Sequence, residues 1–290
     1  MIAPAHSSDP SSSGSAEEQR AIRVRILRQD APAQESYWER HVVPYEPNMN
    51  VISVLQRIAA GARAADGRPV APVAWDCNCL EEVCGSCTML INGATRLACS
   101  ALVDRLLEDG DEIELRPMSK FPVVRDLVVD RRRLFRGLEK VKAWVPVDDS
   151  YDHGAGPRIS PEEQEDAYPL STCMSCGCCL EACPQYVKIE PVRRDGETPE
   201  AFAERRQGAF DRGFVGAHAI SQAMLFNSHP TGKMIADERL ETLTAPGGIQ
   251  MCGNAQNCVA VCPKGIPLTR SIARAGRSAT LWAIKRLFDR

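Results

Sequence analysis

Thirteen cysteines lie within 290 residues, and most stand in runs whose spacing suits iron. Cys79, Cys84 and Cys87, followed by Cys99, read C-x4-C-x2-C-x11-C. Four thiolates around two irons need three donors from one tight loop and a fourth from a neighbouring segment, and this spacing supplies them for a [2Fe-2S] cluster. Gly85 and Ser86 are small, so the backbone can curl close and aim its amides at sulfide. A zinc site is the competing reading, but zinc loops favour paired C-x2-C knuckles. Cys77 stands apart, because pairing it would break the x4 interval.

Cys173, Cys176, Cys179, Cys183 and Pro184 read C-x2-C-x2-C-x3-C-P. In such a run three cysteines hold one [4Fe-4S] cluster and the fourth ligates another. It calls for a partner run, and Cys252, Cys258, Cys262 and Pro263 supply one with a single gap, Ala255 standing where a complete run has cysteine. The expected sets are therefore Cys173, Cys176, Cys179 and Cys262 for [4Fe-4S], and Cys183, Cys252 and Cys258 for a third cluster. A cubane whose fourth iron lacks a thiolate tends to lose that iron, so the third site reads as [3Fe-4S]. Its rival is a [4Fe-4S] cluster whose fourth iron takes water or another oxygen ligand. Cys178, off the three-residue interval, reads as a buried small hydrophobe.

The remaining chemistry is sparse. His218 in an apolar helical stretch and His229 before a proline read as ordinary hydrogen-bonded histidines rather than ligands. No Ser/His/Asp grouping, phosphate-binding glycine loop or nicotinamide fingerprint occurs. The chain is expected to move electrons, with no catalytic residue and no organic cofactor site of its own.

These donors need elements to carry them. Residues 1–19 are Ser/Pro/Ala-rich without an apolar core, which reads as a solvated, disordered tail rather than a signal peptide and places the cysteines in a reducing compartment. Residues 20–118 read as a small α+β domain: Ile22, Val24 and Ile26 alternate as in a strand, residues 51–65 carry Val51, Val54, Leu55 and Ile58 at helical spacing, strands are expected at 88–91 and 112–116, and Asn92-Gly93 turns a hairpin into 96–100. Residues 119–147 read as a connection with one helix. Residues 148–290, with a flexible joint marked by 154–157 and the acidic segment Glu162 to Asp166, read as helices joined by cysteine-bearing loops.

A net charge of -3 argues against a nucleic-acid partner. The basic run Arg131, Arg132, Arg133, Arg136, Lys140 and Lys142 reads first as a solvated helix face and second as a docking patch. The closing helix, with Arg270, Arg274, Arg277, Lys285 and Arg286 around Leu281, Trp282, Ile284 and Leu287, reads as packed on its own domain, the alternative being a face for a partner or a membrane surface. No stretch approaches the ~18 apolar residues that span a bilayer, so a membrane role would be peripheral.

The motifs CLEEVCGSC, FPVVRDLVVD, CMSCGCCLEACP, LFNSHPTG and CGNAQNCVAVCPKGIPLT together resemble the iron-sulfur subunit of succinate dehydrogenase and fumarate reductase, over residues 21–287. The resemblance implies a plant-type ferredoxin (β-grasp) domain followed by an all-α, bacterial-ferredoxin-like domain. It implies a flavoprotein (FAD) partner that interconverts succinate and fumarate, three clusters in line, and a quinone at a membrane anchor on the cytoplasmic face of the cell membrane. The Cys79 group would face the flavin and the Cys183, Cys252, Cys258 group the quinone. Ubiquinone-linked members carry a tryptophan a few residues after the second run and a histidine after the first cysteine of the third. Here Gln185, Tyr186, Val187, Lys188 and Gly253 stand there, which resembles the menaquinone-linked branch with a dihaem cytochrome b anchor. A soluble fumarate reductase relay is the nearest alternative, and a zinc-stapled interaction protein the alternative from another class.

Overall fold

The computed structural model describes residues 20–32, 34–108, 110–146, 158–189 and 192–288. The expected tail at 1–19 and the 154–157 part of the joint lie outside them, whereas its acidic part, Glu162 to Asp166, is helical, because Ser160 and Glu163 form a capping box that starts a helix at Pro161. The N-terminal half is a five-stranded sheet. In chain order it comprises β1 (Ala21–Arg28), β2 (Tyr37–Pro44), helix α1 (Val51–Gly61), β3 (Thr88–Ile91), β4 (Ala94–Leu97), a short α2 (Val103–Leu106) and β5 (Glu112–Arg116). The strand order is β2-β1-β5-β3-β4, with β1 and β5 parallel and the other pairs antiparallel. Ile22, Val24 and Ile26 are fully buried, as period-two alternation requires, and pack with Val51, Val54, Leu55 and Ile58 of α1.

Three details differ from the sequence reading. Helix α1 stops at Gly61 rather than 65, because Ala62 takes a left-handed cap conformation (φ 47°) and Arg63 turns back to bridge Pro69. The strand after the Asn92-Gly93 turn starts at Ala94 and ends at Leu97, which leaves Cys99 in a turn beyond it. Strand β2 was not foreseen, because its inward positions are Glu39, His41 and Val43 while Trp38 and Val42 face out.

Those inward polar groups belong to a buried ionic cluster. Arg28 pairs with Glu39 and, at 2.7 Å, with Asp126 Oδ1, while His41 Nε2 lies 3.0 Å from Glu39 Oε1. Asp126 also accepts the Ala74 amide at 2.8 Å. It sits in the turn of a two-stranded ribbon, β6 (Val123–Arg125) and β7 (Val128–Val129), so the cluster pins the connecting segment to the sheet.

Helix α3 (Arg132–Lys140) follows, as one helix was expected there, and the rest is helical: α4 (Pro161–Ser171), α5 (Cys178–Glu181), α6 (Pro199–Arg212), α7 (Ala217–Ser228), α8 (Ala236–Thr244), α9 (Asn257–Ala260) and α10 (Leu268–Phe288). Among the described residues no strand follows β7 and no helix is long and apolar enough to cross a membrane. Buried Arg239 ties this half to the connection, donating to the carbonyls of Lys142 at 2.9 Å, Trp144 at 2.7 Å and Gly232 at 2.7 Å. Helix α10 buries Leu268, Ser271, Ala275 and Ala279, but exposes Leu281, Ile284, Leu287 and Phe288 on its last turns.

The basic run is not a solvated face. Arg133 stacks over the Tyr186 ring at 3.9 Å, Arg136 over Phe210 at 4.2 Å, Lys140 donates to the Asp211 carbonyl at 2.6 Å, and Arg132 and Lys142 pair with Asp130 and Glu238. Arg133, Arg136, Lys140 and Lys142 fasten the connection to the helical half, whereas Arg132 is largely solvated and pairs within the connection, and Arg131 has a separate task described below.

Candidate metal centres

The first cysteine group sits on a loop folded around its own sulfurs. Leu80 (φ 61°), Glu82 (φ 55°) and Gly85 (φ 71°) are left-handed, which turns successive amides inward. The amides of Glu81, Val83 and Cys84 lie 3.4, 3.3 and 3.3 Å from Cys79 Sγ, and that of Ser86 lies 3.5 Å from Cys84 Sγ. Donors aimed at sulfur favour thiolate: the Ser86 hydroxyl, followed by backbone amides, lowers the Cys84 pKa to about 6. Cys87 is pushed up to about 12 by burial. The fourth cysteine is placed by a helix cap, because Asn50 accepts the Ser53 amide at 2.9 Å and donates to the Cys99 carbonyl at 3.0 Å. Cys77 is exposed.

Cys173, Cys176, Cys179 and Cys262 line one cavity in the helical half, together with Cys178 and His218. Ser175 (φ 53°) and Gly177 (φ 87°) curl the run around it. Burial raises the pKa of Cys173 and Cys179, and for Cys176 the neighbouring Cys178 thiol raises it first and burial second. Such thiols stay protonated until a metal displaces the protons. Cys183, Cys252 and Cys258 line a second cavity, whose wall also includes Ala255. Asn254 (φ 52°) and Gln256 (φ 60°) bend that loop, and the Asn257 side chain donates to the Ala182 carbonyl at 3.0 Å, joining the two runs.

Helix α7 begins between the two cavities. Its first residue, Ala217, lines the Cys183 cavity and its second, His218, lines the Cys173 cavity. The positive end of the helix therefore faces both, where it favours negative charge. Gly216 makes the approach possible: its φ is 90°, and a Cβ there would stand 2.1 Å from Leu180 Cδ2. His218 is buried, and neither ring nitrogen has a partner in good hydrogen-bond geometry, although the Leu134 backbone lies close enough to act on the ring. Burial drives its pKa down to about 4, with the Leu134 backbone pulling weakly the other way. His229 does have an ordinary role, accepting the Gly232 amide at 3.2 Å.

The first loop and the second run touch. A Cβ on Gly85 would stand 2.6 Å from Cys176 Cβ. Arg131 clamps the contact: its guanidinium donates to the carbonyls of Gly85 and Ser86, both at 2.6 Å, and reaches that of Cys176 at 3.4 Å. Glu181, in α5, ties the second run to the connecting segment, accepting the amides of Ser119 at 2.9 Å and Lys120 at 3.0 Å. Sequence reasoning missed both contacts, although Arg131 follows directly on the FPVVRDLVVD motif. Cys178 is buried in this seam, within the apolar cluster of the N-terminal half.

The donor set suits polynuclear iron-sulfur groups. Thiolates that share a cluster stand apart because iron and sulfide lie between them, whereas a single ion draws its ligands together. Among the described residues no three His, Cys, Asp or Glu side chains converge on a single-ion site, while the second and third cysteine groups line cavities and the first has backbone amides pointing at sulfur.

Two family models match the chain: a 2Fe-2S iron-sulfur cluster binding domain over residues 23–136, and a 4Fe-4S dicluster domain over residues 169–266. The chain is 48% identical to the succinate dehydrogenase iron-sulfur subunit of Bacillus subtilis (strain 168), over 93% of this chain and 97% of that one. It is 28% identical to the fumarate reductase iron-sulfur subunit of Wolinella succinogenes, over 88% of this chain and 95% of the relative. A chain of the Mycobacterium smegmatis Sdh1 complex in the apo form shares the fold, with a TM-score of 0.68 at 21% identity, covering 90% of this chain and 96% of that one.

Proposed function

The chain belongs to the iron-sulfur subunits of succinate dehydrogenase and fumarate reductase, and from that membership we propose that it carries electrons in line between a succinate-oxidising flavoprotein and a quinone at a membrane anchor. The observation that carries the reading is the sequence of contacts: the Cys79 loop touches the Cys173 run at Gly85 and Cys176, and the first turn of α7 spans from the Cys173 cavity to the Cys183 cavity. The proposed ligands are Cys79, Cys84, Cys87 and Cys99 for [2Fe-2S], Cys173, Cys176, Cys179 and Cys262 for [4Fe-4S], and Cys183, Cys252 and Cys258 for [3Fe-4S], within a β-grasp domain and a bacterial-ferredoxin-like domain.

When bound, the three clusters supply one-electron acceptor and donor sites. The chain's own residues keep them close and tune their surroundings. Arg131 fixes the spacing of the first and second groups, Glu181 ties the second to the connecting segment, Asn50 holds Cys99, and the start of α7 places its positive end at the second and third. The exposed Leu80 and Val83 leave the first loop open to a flavoprotein partner.

The quinone is proposed to be menaquinone, and the anchor a dihaem cytochrome b on the cytoplasmic face of the membrane. A Cβ at Gly253 would stand 2.9 Å from Gln185 Nε2, so the Gln185 amide holds the space where ubiquinone-linked members place a larger side chain. The test is the purified complex with its partners, mixed with succinate. Visible absorption of the clusters should bleach, and a menaquinone analogue should reoxidise them faster than ubiquinone. Colourless protein rich in zinc would overturn the relay, and efficient turnover with ubiquinone alone would overturn the quinone assignment.

A further inference from the structure

A fully buried imidazole with two unsatisfied nitrogens is costly unless something bonds to it. His218 is 2% exposed, and neither Nδ1 nor Nε2 has a partner. Its surroundings narrow what the partner is. On one side stands α3, with Gly137 near enough that a Cβ there would make ordinary van der Waals contact with His218 Cε1 at 3.8 Å, and with the Leu134 backbone acting on the ring. On the other, the side chain lines the cavity of Cys173, Cys176, Cys179 and Cys262, whose wall also includes Met174, Ser175, Lys264, Ile266 and Leu268.

We propose that His218 donates a ring N–H to sulfur of the iron-sulfur group held in the Cys173 cavity, and that this bond raises the reduction potential of that centre above the value an apolar side chain there would give. The proposal rests on the ligand reading given above. A histidine carries an N–H donor whether neutral or charged, so the bond does not depend on protonation. Sulfur that accepts a hydrogen bond stabilises the reduced, more negative state more than the oxidised one, and such bonds are among the factors that set cluster potentials. The position reinforces the effect, because His218 is the second residue of α7 and the helix already turns its positive end to the cavity. His218 is thus a positioning and tuning residue rather than a ligand.

The experiment is a redox titration, followed by electron paramagnetic resonance, of the intact complex carrying His218→Leu, His218→Asn or His218→Gln. In His218→Leu the [4Fe-4S] potential should fall while those of the other two centres stay. Asparagine or glutamine should restore it in part, according to whether Nδ1 or Nε2 is the donor. If His218→Leu loses the cluster, the unaltered complex decides: pulsed resonance of the reduced [4Fe-4S] centre, with and without 15N-histidine, should show a coupled histidine nitrogen and an exchangeable proton. An unmoved potential in a cluster-complete His218→Leu complex, or no histidine coupling in the unaltered one, overturns the proposal. Absence of any [4Fe-4S] signal from the unaltered complex would instead overturn the ligand reading beneath it.

Discussion

Gly85 and Cys176, ninety-one positions apart in sequence, meet so closely that a methyl on Gly85 would stand 2.6 Å from Cys176 Cβ and 2.7 Å from its Cα. The contact joins the loop of the first cysteine group to that of the second, and fixes the spacing between them.

Gly85→Ala should therefore disturb two centres at once. The residue also has φ +71°, which an L side chain rarely adopts, so the strain adds to the clash. The [2Fe-2S] and [4Fe-4S] resonances should both shift or weaken, whereas Gly67→Ala, with φ +83° but nothing within 4 Å, should leave them unchanged. Electron paramagnetic resonance of the two variants makes the comparison.

Arg131→Gln removes the clamp over the same seam. Two charge-assisted bonds of 2.6 Å are lost to buried carbonyls, each worth about 1.5–3 kcal/mol. A loss of about 3 kcal/mol is expected in anaerobic denaturant unfolding of the complex, and Arg132→Gln, whose partner is the adjacent Asp130 at the surface, should cost less than about 1 kcal/mol.

The cysteines outside the ligand sets give a third test. Cys77 is exposed, and Cys178 is buried in the seam beside Cys176. Cys77→Ser and Cys178→Ser should keep all three cluster signals, while Cys84→Ser should alter the [2Fe-2S] signal alone. Loss of that signal in Cys77→Ser would shift the register of the first loop.

The grouping of cysteines around the two cavities of the helical half was legible in sequence because x2 and x3 intervals survive any rearrangement of the surrounding chain. Strands β1, β3 and β5 and the apolar face of α1 were legible because alternation and 3.6-residue periodicity were intact. Strand β2 was hidden because Glu39 and His41 occupy its inward positions, and they are tolerated there only because Arg28 and Asp126, far apart in sequence, complete the ionic cluster. The same limit hid Arg131 and His218. A run of arginines reads as a solvated face until its acceptors, 45 or 46 residues away, are placed, and a histidine in an apolar stretch reads as satisfied until its missing partner is seen.

Ala255 lines the cavity of Cys183, Cys252 and Cys258, at the one position where a complete run would place a fourth thiolate, and the three-cluster account turns on it. Electron paramagnetic resonance of the air-oxidised intact complex, unaltered and with Ala255→Cys, tests it most directly. The unaltered complex should show the near-isotropic signal of an oxidised [3Fe-4S] centre. Ala255→Cys should lose it by retaining a fourth iron, with a lower potential because another thiolate adds negative charge. An unaltered, intact complex without that signal, or an Ala255→Cys complex that keeps it unchanged, would contradict the account.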